Sequence, residues 1–275
     1  MTKSPNAVPP GFRNITPYLV LRNPAALLDF LKSAFDAQEL IRSVGPNGLI
    51  MHAGVKIGDS MLEMGGIGGA ESAEFPANLH YYVKDADAAY HSAIHAGAKS
   101  LHEPRDMEYG DREAGVQDLC GNHWYIATHK SGASYRPPLF HDLTLYLSLK
   151  DAAKFISFVE KAFHAAVLDQ NADKSGAVGH ATVRIGDTLI ELSEAHGQWG
   201  PRASSLHYFS EQCDEIFNHA LSSGAKLLWP LEDKLYGDRA GGLLDDWGNH
   251  WYISKHLEDL TLEEIQRRFE IAQSK

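Results

Sequence analysis

Short apolar runs separated by turn residues dominate the chain, and their period changes in a fixed order. Thr16 to Leu21 is a β-rich run. Ala25 to Phe35 follows, with Leu27, Leu28, Leu31, Ala34 and Phe35 at the spacing of an amphipathic helix. Glu39 to Val44, Leu49 to Val55 and Ser60 to Met64 are strand candidates, and Gly58-Asp59 between the last two is a short-hairpin signal. Leu79 to Val83 restarts the series as a strand. Asp85 to Ala96 is a helix closed by Gly97, and strands near Lys99 to Leu101, Gly115 to Asp118 and His123 to Ala127 complete the unit. The unit is therefore βαβββ written twice. Runs this short, joined by tight turns, predict an α+β architecture: mostly antiparallel sheet with helices on one face.

The whole pattern then recurs. Tyr109 to His129 and Tyr236 to His256 match at 13 of 21 positions with an offset of 127, sharing Tyr-Gly-Asp-Arg at the start and Gly-Asn-His-Trp-Tyr-Ile near the end. His52 to Met64 and His180 to Leu192 match at 7 of 13 positions with an offset of 128. A unit of roughly 125 residues, long enough for its own core, is thus duplicated, and its period is too long for a solenoid or propeller. The expected organisation is a loose arm over 1–13, a domain over 14–130, a Gly-, Ser- and Pro-containing linker over 131–138, a second domain over 139–257 and a C-terminal helix over 258–275. In that helix Thr261 and Glu264 form a capping box. Leu262, Ile265, Phe269 and Ala272 make an apolar stripe that either packs on the body or meets a partner.

Charge and cysteine usage narrow the partners. A formal net charge of -11 at pH 7 opposes a nucleic-acid partner, which needs clustered Lys and Arg, and otherwise serves solubility. Cys120 and Cys213 do not occupy matching repeat positions and form no disulfide framework, which points to a reduced, cytoplasmic compartment. Cys120 aligns with Trp247, which counts against a nucleophile. The polar stretch Met1 to Asn14 lacks the apolar core of a secretion signal. No apolar run approaches the ~20 residues needed to span a bilayer, so no membrane role is expected.

The motif set resembles the vicinal oxygen chelate superfamily (the glyoxalase, bleomycin-resistance and extradiol dioxygenase fold), and within it the PhnB-like branch. The resemblance rests on Tyr109 to Arg112, Asp118 to Trp124, Ala127-Thr128-His129, and a tail of Glu258-Asp259, Glu263-Glu264 and Arg267-Arg268. It covers nearly the whole chain from residue 14. It implies two tandem domains, each a pair of βαβββ modules curled into a half-open, mostly antiparallel barrel with helices outside. It also implies a small-molecule ligand in the barrel, and either a monomeric pseudo-dimer or a homodimer.

Metal-dependent members of that superfamily usually draw His, Glu, His and Glu from four strands. The matching positions are Thr16, Glu63, Asn78 and Tyr125 in the first half and Thr144, Glu191, Ser205 and Tyr252 in the second. Only the glutamates are strong ligands, because Thr, Asn, Ser and Tyr are poor partners for Zn or Ni. The expectation is a degenerate site without a resident cofactor, the alternative being a divalent Zn, Ni, Mn or Fe.

Another polar cluster occupies the same strands. Residues i and i+2 of a strand share a face, so His80 lies with Asn78, His207 with Ser205, Tyr18 with Thr16, and His123 with Tyr125. On this reading the first half gathers Tyr18, Glu63, His80, His123 and Tyr125 in one concavity, and the second gathers Tyr146, Glu191, His207, His250 and Tyr252. Glu63, His80, Glu191 and His207 are the candidate catalytic and metal-binding residues. A His beside a Glu is either a general acid/base pair, part of a shifted metal site, or a hydrogen-bonded network at the barrel mouth. Tyr18, Asn78, Tyr109, Arg112, His123, Tyr125, Tyr146, Ser205, Tyr236, Arg239, His250 and Tyr252 are the candidate ligand contacts. Arg112 and Arg239 either hold an anion in bidentate fashion or pin their loop through Asp118 or Asp245. His52 and His180 read as structural, His91 and His95 as surface, and Trp124 and Trp251 as core or cavity wall.

The leading expectation is a glyoxalase- and bleomycin-resistance-like protein that binds a small molecule in a barrel cavity with a degenerate metal site. The alternatives are a divalent-metal-dependent lyase, isomerase or dioxygenase of a small oxygenated metabolite, and a module without ligand or turnover.

Overall fold

The computed structural model describes residues 6–45, 47–67, 73–197 and 199–273. Four βαβββ modules follow one another. The first is β1 (Ile15–Leu21), α1 (Pro24–Phe35), β2 (Gln38–Val44), β3 (Ile50–Ile57) and β4 (Ser60–Gly66). The second is β5 (Asn78–Tyr82), α2 (Ala86–His95), β6 (Lys99–Asp106), β7 (Asp111–Gln117) and β8 (His123–His129). The third is β9 (Leu143–Leu149), α3 (Ala152–Phe163), β10 (Ala166–Ala172), β11 (Val178–Ile185) and β12 (Thr188–Glu194). The fourth is β13 (Ser205–Phe209), α4 (Cys213–Ser222), β14 (Lys226–Asp233), β15 (Asp238–Leu244) and β16 (His250–His256), and α5 (Leu262–Gln273) ends the chain.

Local chemistry explains these elements. Asn23 caps α1 by accepting from the Ala26 amide at 3.1 Å, Pro24 opens its first turn, and Asp36 ends it in the left-handed region. Its buried stripe of Leu27, Leu28, Leu31, Ala34 and Phe35 is the one its spacing predicts. Phe35 lies 4.9 Å, ring to ring, from both Tyr81 of β5 and Trp124 of β8. Phe163 at the end of α3 repeats this against Tyr208 of β13 and Trp251 of β16. The helices therefore bind module one to module two, and module three to module four, through apolar packing.

Strand pairing runs the other way. Two eight-stranded sheets form, in the orders β14-β15-β16-β13-β1-β4-β3-β2 and β10-β11-β12-β9-β5-β8-β7-β6. The first joins modules one and four through antiparallel β1 and β13, with Tyr18 opposite Ser205 and Thr16 opposite His207. The second joins modules two and three through β5 and β9, with Asn78 opposite Tyr146 and His80 opposite Thr144. Pairing is antiparallel except at β1/β4, β13/β16, β5/β8 and β9/β12. The four joining strands are largely buried, so an unpaired edge on any of them would strand backbone donors and acceptors away from water.

Two reciprocal clasps fix the crossing. The Gly58-Asp59 turn meets the start of β9: Asp142 N donates to Asp59 Oδ1 and Asp59 N to Asp142 Oδ2, both at 2.9 Å. The Gly186-Asp187 turn meets the start of β1 in the same way, Asn14 and Asp187 exchanging two bonds at 2.9 Å. Arg136 and Tyr135 of the connecting segment hold the Asp59/Asp142 pair, with His141. Residues 6–13 lie against the fourth module, Ala7 accepting from the His256 amide and Phe12 packing edge-on to Phe209. In α5 the Glu264 amide donates to Thr261 Oγ1, but the Glu264 carboxylate turns to Arg267 and Arg268 rather than back to the cap. Of the apolar stripe that either packs on the body or meets a partner, Leu262 and Phe269 are exposed and Ile265 is half-buried. No helix among the described residues is long and apolar enough to cross a membrane.

Candidate functional site

Each sheet presents its chemistry from residues of both halves. In the sheet of the outer modules, one and four, Glu63 of β4 is buried opposite Tyr18. Its two oxygens meet His52 Nε2 at 3.0 Å and His207 Nδ1 at 2.8 Å. Tyr18 packs against His52, His207 and Tyr252. In the sheet of the inner modules, two and three, Glu191 of β12 lies opposite Tyr146 and meets His180 Nε2 at 3.2 Å and His80 Nδ1 at 2.8 Å. Tyr146 packs against Tyr125 and His180. These are two copies of one arrangement: a buried carboxylate between two imidazoles, flanked by tyrosines.

The carboxylates stay ionised in both. Burial works against the charge on Glu191, but His80 and His180 outweigh it and hold the carboxyl down at about 2. Glu63 is held at about 2 in the same way by His207 and His52. Burial also opposes the charge on His80, yet Glu191, Glu113 and Asp111 push it up to about 9, so both of its ring nitrogens carry protons at neutral pH.

The copies differ around the second imidazole nitrogen. His207 Nε2 is 2.8 Å from Ser254 Oγ. Ala127 stands at the Ser254 position of the inner-module sheet, and the buried His80 Nε2 has no hydrogen-bond partner. The Glu113 carboxylate lies 3.9 Å from it, beyond hydrogen-bond reach. Glu113, the counterpart of Ala240, accepts from Tyr109 Oη at 2.7 Å and lies 3.4 Å from His102 Nε2. His102 in turn replaces Trp229, which stacks on Tyr252 in the outer-module sheet. A relay of His129, Asp111 and Tyr82 adjoins His80, with contacts of 2.6 Å and 3.0 Å, and the Tyr82 and His80 rings are 4.3 Å apart. The inner-module site is the more polar and the more charged.

The repeated sequence motifs are scaffolding for these sites. Asp118 accepts from Trp124 Nε1 at 2.9 Å, from Asn122 Nδ2 at 2.8 Å, and from the amides of Cys120 and Asn122. Asn122 Oδ1 receives the Ala77 amide, which ties the starts of β5 and β8 together. Asp245, Asn249, Trp251 and Ser204 repeat the arrangement. Trp124 and Trp251 are fully buried core residues.

Several expectations are corrected. Glu63 does not meet His80, nor Glu191 His207; crossed pairing exchanges the partners. Tyr18, Glu63, Ser205, His207, His250 and Tyr252 share one sheet, and Asn78, His80, His123, Tyr125, Tyr146 and Glu191 the other. Tyr109 and Tyr236 stand at the rims, Tyr109 turned in to Glu113. Arg112 and Arg239 do not reach either concave face. Each alternates away from its neighbouring Asp toward a helix, Arg112 binding Asp87 and Asp106, and Arg239 binding Asp214 and Asp233. They pin their loops, through these partners rather than Asp118 or Asp245. His52 and His180, read as structural, are direct partners of the central carboxylates; their recurrence in the 128-residue register was the available signal. Glu113 and His102 were missed because the second copy carries Ala240 and Trp229 at their positions.

The family metal positions are likewise exchanged. Thr16 and Glu63 join Ser205 and Tyr252, and Thr144 and Glu191 join Asn78 and Tyr125. One carboxylate among hydroxyls and an amide is a poor donor set for an imidazole–carboxylate metal site. Among the described residues no group of three or more His, Cys, Asp or Glu side chains could hold a metal ion.

Comparison with known proteins agrees with the fold. The model of the Glyoxalase/Bleomycin resistance protein/Dioxygenase superfamily matches residues 15–126 and again 143–253. The uncharacterized protein Mb0911c of Mycobacterium bovis is 34% identical over 135 residues, covering 45% of this chain and 89% of its own. Glyoxalase I from Zea mays superposes with a TM-score of 0.64 at 12% identity, over 98% of this chain and 96% of the other. A putative dioxygenase from Bacillus subtilis gives 0.61 at 12% identity, over 99% and 97%.

Proposed function

The chain belongs to the glyoxalase/bleomycin resistance protein/dioxygenase superfamily, and on that footing we propose that it binds a small oxygenated molecule on the concave face of the inner-module sheet. His80 is the group that holds and polarises the ligand. One observation carries this reading: the buried, unpartnered His80 Nε2. Its proton has no acceptor, and a buried donor left unmatched costs about 1–3 kcal/mol. A carbonyl or hydroxyl oxygen placed there recovers that cost. In the outer-module copy the matching His207 Nε2 is satisfied by Ser254, and the unpartnered atom there is a neutral hydroxyl, Ser205 Oγ.

A catalytic role is the second reading, favoured by Glu113. With Glu191 holding one nitrogen of His80 and a second carboxylate 3.9 Å from the other, the site can pass a proton between His80 and a bound oxygen. The donor set supports neither a tightly held metal nor a step through one. The Tyr-Gly-Asp-Arg turns and the acid–base tail favour the PhnB-like branch. Because both crossed sheets are complete within one chain, a monomeric pseudo-dimer suffices.

The test is a thermal-shift screen of small hydroxy and oxo compounds on untagged protein and His80→Gln, paired with elemental analysis. The reading expects a compound class that raises Tm of the wild type and not of the variant. Equal shifts in both proteins sink it. About one Zn, Ni, Mn or Fe per chain, lost on Glu63→Ala or Glu191→Ala, would replace it with the metal-dependent lyase, isomerase or dioxygenase.

A further inference from the structure

Arg202, just before β13, is a guanidinium with no carboxylate in ion-pair contact among the described residues. Its Nη1 donates to the Gly121 carbonyl at 2.8 Å, and its Nη2 lies 3.3 Å from His123 Nε2. His123 is no counter-charge: burial, and then Arg202 itself, push its pKa down to about 4, so the ring is neutral. Burial likewise holds the Arg202 pKa below its ordinary value. Most other arginines of the chain are answered by acids. Arg42 has Glu39, Arg112 has Asp87, Arg136 has Asp142, and Arg239 has Asp214. Asp118 acts on Arg202 only at a distance, so this half-buried cation has no counter-ion in contact and can take an anionic group.

Its place points to the inner-module site. His123 pairs with Asn78, two residues before His80 on the same face of β5. That is about 7 Å along the strand. Arg202 also borders a cleft of about 420 Å³ whose charged lining is mixed, Lys150 and Lys154 with Asp151 and Asp246, none of these acids being in ion-pair contact with Arg202; Ser148, at its edge, follows Tyr146 by two residues on the concave face. The counterpart of Arg202 in the repeat is Phe75, which stacks on His250 with ring centres 4.3 Å apart. Phe75, Ala240 and Trp229 make the outer-module face aromatic and apolar where Arg202, Glu113 and His102 make the inner one ionic.

We propose that the inner-module site selects a short anionic molecule, a hydroxy- or oxo-acid whose carboxylate or phosphate lies on Arg202 while a second oxygen accepts from His80 Nε2. The outer-module site does not share this preference. The inference rests on the ligand-binding reading above and adds the charge of the ligand.

The test follows His80, His123, His207 and His250 ring signals by NMR during titration with lactate, phosphoglycolate and, as the neutral match, lactamide. Proteins are the wild type, Arg202→Met, Arg202→Lys and His80→Gln, each checked for an unchanged fold by its amide spectrum. The expected result is that an anion moves His80 and His123 but not His207 and His250. Its Kd should rise about tenfold in Arg202→Met, as for loss of one charge-assisted contact, and less in Arg202→Lys. Bound anion should also raise the His123 pKa by masking the guanidinium. Whether lactate or phosphoglycolate binds tighter identifies the anionic group. Lactamide binding as well as lactate, or anion affinity unchanged in Arg202→Met, overturns the inference. If lactamide binding is nonetheless lost in His80→Gln, the ligand-binding reading survives alone. If no probe moves His80 in the wild type, both fail.

Discussion

His207 Nδ1 lies 2.8 Å from Glu63 Oε2 across 144 positions of chain, and His80 makes the same contact with Glu191 across 111. Each pair joins a residue of one half to a residue of the other. A change at Glu191 should therefore be felt at His80, far away in sequence, and not at His207, which is nearer. In Glu191→Gln the burial that disfavours charged His80 remains while its strongest opponent is gone. The His80 pKa should fall well below about 9, read by NMR titration of the ring. A value that stays near 9 would show that Glu191 is not what charges His80.

The same pair shapes stability against pH. His80 is raised from 6.5 to about 9, so its contribution is complete below 6.5 and lost as pH rises through about 9. Glu191 is lowered from 4.5 to about 2, so its contribution is complete above 4.5 and lost as pH falls through about 2. The Tm difference between wild type and His80→Gln should be greatest from pH 4.5 to 6.5 and shrink on both sides. A difference that is flat with pH would refute the charged pair.

Arg112 and Arg239 offer a contrast with Arg202. Their partners are largely exposed, and such surface pairs contribute little, so Arg112→Ala should leave the midpoint of chemical denaturation close to that of the wild type. Lactate or phosphoglycolate titrations should be indistinguishable from wild type. A loss of anion binding in Arg112→Ala comparable to that of Arg202→Met would return this arginine to the ligand site.

Gly58 turns at φ 57, and a methyl group there would overlap the Asp142 carboxylate. Gly58→Ala combines a left-handed backbone with a clash at the clasp and should destabilise by about 2 kcal/mol or more, measured by urea unfolding. Gly121, also left-handed but with open space around its missing side chain, should lose less on the same change. Equal losses would mean that the clasp adds nothing beyond backbone strain.

Much of this was legible in the chain. Helical spacing located α1, alternation located the strands, and the repeat exposed the tandem units. Glu63, His80, Glu191 and His207 stand out in the sequence as candidate site residues, but their partners do not. Because both halves carry Tyr, Glu and His in the same register, pairing within a half and pairing across halves look identical in sequence. The decision is made by packing: Phe35 and Phe163 commit each half's own second module to the helical core. The edges of β1 and β9 are then open only to the other copy. Arg202 was invisible for a different reason, since its meaning lies in the absence of an acid, which no spacing reveals.

The crossing gives the connecting segment an unsuspected duty. A chain cut between Ser131 and Pro138 would leave two fragments, each with a helical core but neither with a finished sheet. Tyr135 and Arg136 would lose their hold on the clasp between them. Covalent fusion keeps each fragment at a high effective concentration for its mate. It also favours pairing with the mate over pairing with a second copy of itself, which would yield two like faces. Pairing of the two unlike halves within one chain maintains one ionic and one aromatic face, so the tether lets the two faces differ.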